Sequence, residues 1–175
     1  MSNRIVYLAG PINNCTKGEA NDWRDYASAR LASSRITGIS PLRCEPLVGE
    51  RYGTDYPDPR FGTPSAIASK NRFDVANCDM MLAYFPHEEE ASTAVCGIYK
   101  WPSVGTIWEL GMARMAGKMV IVVCQNIILA KHPVIRTADW LLTDLDEGLD
   151  VAVGVLQDYA EGNLIQRRMD DVITH

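Results

Sequence analysis

Short apolar runs rich in β-branched residues alternate along this chain with longer stretches of helical periodicity, the pattern of a parallel sheet held between helices. Residues 4–9 are predicted as a first strand, and Thr16-Lys17-Gly18-Glu19 as a capping-box start to a helix running to about Ser34. A second strand is expected over 36–42. Residues 43–64 are rich in Pro and Gly, carry Tyr52, Tyr56 and Phe61, and read as a loop of the length that lids and binding loops have. A helix over 65–77 and a buried strand over 79–85 follow. The connection over 86–102 is again longer than a turn requires, and its run Glu88-Glu89-Glu90 reads as a solvated loop face. A third helix over 103–117, a strand over 119–124, a weaker strand over 138–142 and a helix over 147–161 complete the order. The expected fold is α/β: one domain over 1–175, with a core over 4–161 and a C-terminal tail over 162–175. Its architecture is a doubly wound, flavodoxin- or Rossmann-like sheet of five parallel strands with helices on both faces.

Composition narrows the function classes. A chain of 175 residues that is 47% hydrophobic suits one domain with a real core, and no stretch resembles a signal peptide or a membrane span, so a cytoplasmic protein with no membrane partner is expected. The five cysteines are scattered, with no C-x-x-C pair and no histidine at ligand spacing, which predicts free thiols and no structural metal. A net charge of −5 disfavours binding of polymeric nucleic acid through its phosphates and leaves small molecules as the expected partners. Gly10-Pro11 is not part of a G-x-G-x-x-G fingerprint, and no P-loop is present. Trp23 and Tyr26 have the helical spacing of core positions.

The third helix holds the best chemical clue. It reads TIWELGMARMAGK from Thr106 to Lys118, and Glu109 has no charged partner one turn later, at Met112 or Ala113. Two readings fit. Thr106 and Glu109 match a capping box. Alternatively, Glu109, in the first turn of a helix whose N-terminal field favours anions, is a carboxylate poised as a nucleophile. In an open parallel sheet the ligand crevice lies beyond the carboxyl ends of the strands, and Gly10-Pro11, the Pro86 loop and the start of this helix all fall there.

Tyr7-Leu8-Ala9-Gly10-Pro11, the run DVANCDMMLAYF over 74–85, and Gly105-Thr106-Ile107-Trp108-Glu109-Leu110-Gly111-Met112-Ala113, in that order, resemble the nucleoside 2-deoxyribosyltransferase-like superfamily. That superfamily includes deoxyribosyltransferases and nucleoside 5′-monophosphate N-glycosidases. The likeness spans residues 4–124. It implies that Glu109 attacks C1′ of the sugar to form a glycosyl ester, which a second free base or water resolves. It also implies that Tyr7 orients Glu109, where the alternative is a buried strand tyrosine satisfied by backbone. Gly10, Pro11, Gly105 and Met112 become candidate substrate contacts, and the chemistry asks for no cofactor.

The sequence departs from the family pattern on the base side. Members commonly carry a carboxylate eight positions before the aspartate that opens strand three, here Asp79, and that position is Asn71. An amide recognises a base edge but does not act as a carboxylic acid. Asp74, on the same helical face, either compensates or pairs with a cation such as Arg72 or Lys70, and Asp79 is read as structural. Six residues before Glu109, where deoxyribosyltransferases usually have an aspartate, stands Ser103, as in the monophosphate N-glycosidases. A hydroxyl at a helix start suits a 5′-phosphate and is equally a plain cap. His132 or Arg136, after strand four, matches a segment that in those glycosidases reaches the neighbouring subunit's phosphate, which implies a homo-oligomer with shared sites. A non-catalytic nucleotide-binding sensor on the same scaffold is the rival reading, with Asn71 as its best support.

Overall fold

The computed structural model describes residues 3–86 and 103–161; the acidic run at 88–90, Cys96 and the tail at 162–175 lie outside these. The chain runs β1 (Arg4–Ala9), α1 (Lys17–Ala32), β2 (Ile36–Ile39), α2 (Pro64–Asn77), β3 (Met80–Phe85), α3 (Val104–Met115), β4 (Met119–Cys124), β5 (Trp140–Leu142) and α4 (Leu145–Glu161), with two short 3-10 turns between β4 and β5. The sheet is wholly parallel in the order β2-β1-β3-β4-β5, the flavodoxin-like doubly wound arrangement. The strand order reverses between β1 and β3, so the crevice opens beyond Ala9 and Phe85.

Alternation along the strands builds two cores. Tyr7, Ala9, Met81, Ala83, Val120 and Val122 face α2 and α3, while Val6, Leu8, Met80, Leu82, Ile121 and Val123 face α1 and α4. Both faces of β1, β3 and β4 are therefore apolar, as strands covered by helices on two sides require. No helix among the described residues is long and apolar enough to cross a membrane.

Several boundaries differ from expectation for identifiable reasons. β2 stops at Ile39 because the Ser40 hydroxyl accepts from the Leu42 amide and turns the chain. α2 begins at Pro64, with Thr63 accepting from the Ala66 amide and proline at the position where its missing N–H costs nothing. α4 starts at Leu145 because the Asp144 carboxylate accepts from the Glu147 amide. Asp79 stays outside β3, and its carboxylate accepts from the Arg4 guanidinium and the Ile5 amide, each at 2.8 Å, joining β1 to β3. The capping box at Thr16 and Glu19 is present as expected. Tyr26 is not a core residue: it is 46% exposed, and its hydroxyl donates to Asp146 of α4.

Gly10 marks the tightest approach at the crevice. A Cβ there would lie 2.7 Å from Trp23 Cζ2, 3.1 Å from the Tyr84 carbonyl oxygen and 3.2 Å from the Arg24 guanidinium. Gly10→Ala should therefore destabilise the protein by about 1–3 kcal/mol through overpacking. Denaturant unfolding monitored by tryptophan fluorescence measures this, and an unchanged midpoint would show that Trp23 moves aside freely.

Candidate active site

Ser103, not Thr106, caps α3: its hydroxyl accepts from the Thr106 amide at 3.3 Å. This corrects the capping-box reading of Thr106 and Glu109 and places Glu109 in the second turn of the helix. Periodicity then decides its fate. Thr106, Glu109, Leu110 and Ala113 form the buried stripe of α3, so the carboxylate points at the sheet with the same helical phase that buries Leu110. Glu109 is only 5% exposed.

Two neutral donors meet it. Tyr7 Oη and Asn71 Nδ2 each lie 2.8 Å from Glu109 Oε1, and both contacts are buried. β1 supplies Tyr7 from its α2/α3 face, and α2 supplies Asn71 from a buried stripe that also holds Asp74 and Val75. Burial pushes the Glu109 carboxyl up to about 7, against the lowering effects of the Tyr7 hydrogen bond, the Arg24 charge, the Asn71 hydrogen bond and the Lys70 charge. Burial, followed by the neighbouring Glu109, holds the Tyr7 phenol well above its ordinary value, so Tyr7 remains a neutral donor.

Arg24, which the sequence reading did not single out, supports the crevice from the opposite core. It is 1% exposed, and its guanidinium donates to the carbonyls of Leu8 at 3.1 Å and Gly10 at 2.9 Å, and to that of Ala20. Trp23 lies against it, with the guanidinium carbon 4.4 Å from the ring centroid. Burial lowers Arg24 to about 10, so it remains a cation near Glu109. Its signal was present in the helix spacing: Ala20, Arg24, Ala27 and Leu31 form the buried stripe of α1, with a guanidinium in place of an apolar residue.

The loop after β2 contributes two further ion pairs. Arg43 grips Asp74 through both terminal nitrogens, and the Asp74 side chain is 2% exposed. Asp74 therefore shares a face with Asn71 but gives its carboxylate to Arg43, a cation distant in sequence, rather than to Arg72 or Lys70. Lys70 instead lies 2.9 Å from Glu45 Oε1 and donates to Asn71 Oδ1 at 3.0 Å. Neither Arg43 nor Glu45 carries a local sequence signal, since only the path of the loop brings them to α2.

The other candidate residues divide by position. Gly10 and Pro11 follow directly on the end of β1. Gly105 is exposed in the first turn of α3, where a Cβ would meet nothing closer than Ser103 Oγ at 3.8 Å. Met112 lies partly buried against the α2/α3 core. His132 and Arg136 are exposed in the 3-10 region, and His132 Nδ1 accepts from the Val134 amide. Cys44, Cys78 and Cys124 are free thiols.

Among solved structures, the chain is similar to a CMP N-glycosidase from Clostridium botulinum, with 15% identity, a TM-score of 0.50, and coverage of 85% of this chain and 97% of that one. It is also similar to a 2-desoxiribosyltransferase from Leishmania mexicana, with 19% identity, a TM-score of 0.45, and coverage of 70% of this chain and 65% of that one. At 15% identity the likeness to the N-glycosidase shows the fold alone. No match was found among curated proteins. The family model described as nucleoside 2-deoxyribosyltransferase matches residues 6–131, which takes in β1, α2 and α3 and with them Tyr7, Asn71 and Glu109. By that match the chain belongs to the nucleoside 2-deoxyribosyltransferase family, whose enzymes act on the N-glycosidic bonds of nucleosides and nucleotides.

Proposed function

We propose that this protein cleaves the N-glycosidic bond of a 2′-deoxynucleoside or its 5′-monophosphate through a glycosyl ester on Glu109, passing the sugar to a second base or to water. The observation that carries the reading is the buried Glu109 carboxylate, whose Oε1 accepts from Tyr7 and Asn71 at 2.8 Å each. With Oε1 fixed by two donors, Oε2 is the attacking oxygen. A bond forms between Oε2 and C1′ as the C1′–N bond breaks, and the electron pair leaves with the base. In the second step an acceptor attacks C1′ and the electron pair returns to the carboxylate. Positive charge developing at C1′ is stabilised by a carboxylate in a site that excludes water. The loop between β2 and α2 would close over the base and keep water out.

Ser103 favours a 5′-monophosphate. Its hydroxyl accepts from the Thr106 amide, which leaves its own proton to donate to a phosphate at the α3 N-terminus. Similarity of fold to a CMP N-glycosidase agrees with that substrate class. The exposed apolar face of α3, with Val104 79%, Trp108 45% and Met115 92% exposed, supports a homo-oligomer whose partner adds the His132 segment to the site.

Six outcomes test this. Incubation with deoxynucleosides and their monophosphates, with and without a free base, followed by chromatography, should release base or yield a new nucleoside. Glu109→Gln should abolish the release; a wild type that binds nucleotides without cleaving them would instead be a sensor. Because attack needs the anion, kcat/KM should rise along a limb centred near pH 7. The same raised value means that folding takes up a proton, so the Glu109 contribution to stability is full below 4.5 and declines as pH rises toward 7, a slope that Glu109→Gln removes. Ser103→Asp keeps a competent cap but repels phosphate, so it should lower kcat/KM for monophosphates at least about tenfold while sparing nucleosides. Finally, sedimentation should show an oligomer that Trp108→Glu with Met115→Glu dissociates.

A further inference from the structure

A side-chain amide is nearly symmetric in shape, and either its carbonyl or its NH2 group fits against a neighbour. What faces Glu109 is therefore decided by whatever holds the other end of Asn71. Lys70 holds it: an ammonium only donates, and Nζ lies 3.0 Å from Asn71 Oδ1. That contact commits the carbonyl to Lys70 and turns Nδ2 onto Glu109 at 2.8 Å.

Lys70 is itself fixed. Its ammonium donates to the Pro41 carbonyl and to Asn71 Oδ1, and Glu45 Oε1 lies 2.9 Å away as its counter-ion. The Lys70 and Glu45 side chains are 11% and 2% exposed. Pro41 and Glu45 both belong to the turn after β2, where the Glu45 amide donates to the Leu42 carbonyl. A continuous polar chain thus runs from that turn through Lys70 and Asn71 to Glu109, joining the start of the long loop to α2 and α3.

We propose that Lys70, clamped by Glu45 and the Pro41 carbonyl, is a positioning residue that locks the Asn71 amide with its N–H groups toward Glu109 and the leaving base. With Oδ1 committed, the amide offers substrate only its second N–H. The base edge it meets must be a hydrogen-bond acceptor, and the base departs on a hydrogen bond whose donor is polarised by a neighbouring ammonium. The substrate half of this inference rests on the glycosyl-transfer reading above; the orientation half does not.

The groups acting on Glu109 are Tyr7 from β1, Arg24 from α1, and Asn71 and Lys70 from α2; Asp74, paired with Arg43 of the loop, acts on Tyr7. Lys70→Met removes one of these charges and frees the amide to present its carbonyl to the carboxylate. Both changes disfavour the anion. The Glu109 titration should move up by about one pH unit in Lys70→Met and return toward the wild-type position in Lys70→Arg. Carbon-13 NMR of glutamate-labelled protein, with the resonance assigned by its loss in Glu109→Gln, reads this without requiring activity. If Lys70→Met does not fold with Glu45 left as a buried unpaired charge, the paired variant Glu45→Gln with Lys70→Met removes both charges and serves in its place.

In a catalytically active protein the acid limb of kcat/KM should follow the NMR titration, with kcat falling about tenfold or more and KM changing little, as loss of a contact made in the transition state requires. An unmoved Glu109 titration in a folded Lys70 variant, with only a lowered melting temperature, overturns the proposal. A shifted titration in a protein that cleaves no nucleoside or nucleotide upholds the orientation and overturns the glycosyl-transfer reading instead.

Discussion

The site depends on a carboxylate placed where the helical phase of α3 and the alternation of β1 leave it no water. Glu109 faces the sheet because Leu110 and Ala113 do, and Tyr7 faces α3 because Ala9 does. Burial raises the cost of the charge, and two neutral hydrogen bonds with two nearby cations offset part of it. The balance lies near neutrality, so the anion is available at working pH yet weakly solvated.

Much of the scaffold was legible because it follows from local rules. Apolar runs gave the strands, and the Thr16 capping box gave the start of α1. The position of Gly10-Pro11 beyond β1 follows from parallel topology. Glu109 stood out as the one acidic residue on an apolar helix, whereas Tyr7 was marked only by the resemblance to the family. The helix start at Ser103 was legible, but Thr106 and Glu109 imitate a capping box; Ser103 satisfies the Thr106 amide and leaves Glu109 one turn further into the helix.

The polar support around Glu109 was not legible for a different reason. Arg43 and Glu45 sit in a loop with no periodicity, and their partners, Asp74 and Lys70, lie about 25 to 31 positions away. Pairing of that kind depends on the loop path, which a local pattern does not encode. Lys70 and Asp74 were visible as charges on α2, but spacing within one helix suggested local partners. Arg24 was hidden by its type: an arginine in a helix reads as solvated, and only its phase with Ala20, Ala27 and Leu31 marks it as inward-facing.

The partners of the buried cations carry a consequence for the glycosyl ester proposed on Glu109. Arg24 donates to main-chain carbonyls, and Lys70 donates to the Pro41 carbonyl and Asn71 with Glu45 as its counter-ion, so neither relies on Glu109 for its own hydrogen bonds. In the proposed reaction, esterification of the carboxylate would strand no ion in the interior, and Tyr7 and Asn71 would still have a carbonyl oxygen to bind. An arginine clamped directly to the nucleophile would lose its counter-ion at that moment and press the reaction backward. Here the proposed ester would leave no buried cation without a partner, so its second step would be governed by what enters the crevice rather than by an ion stranded in the first.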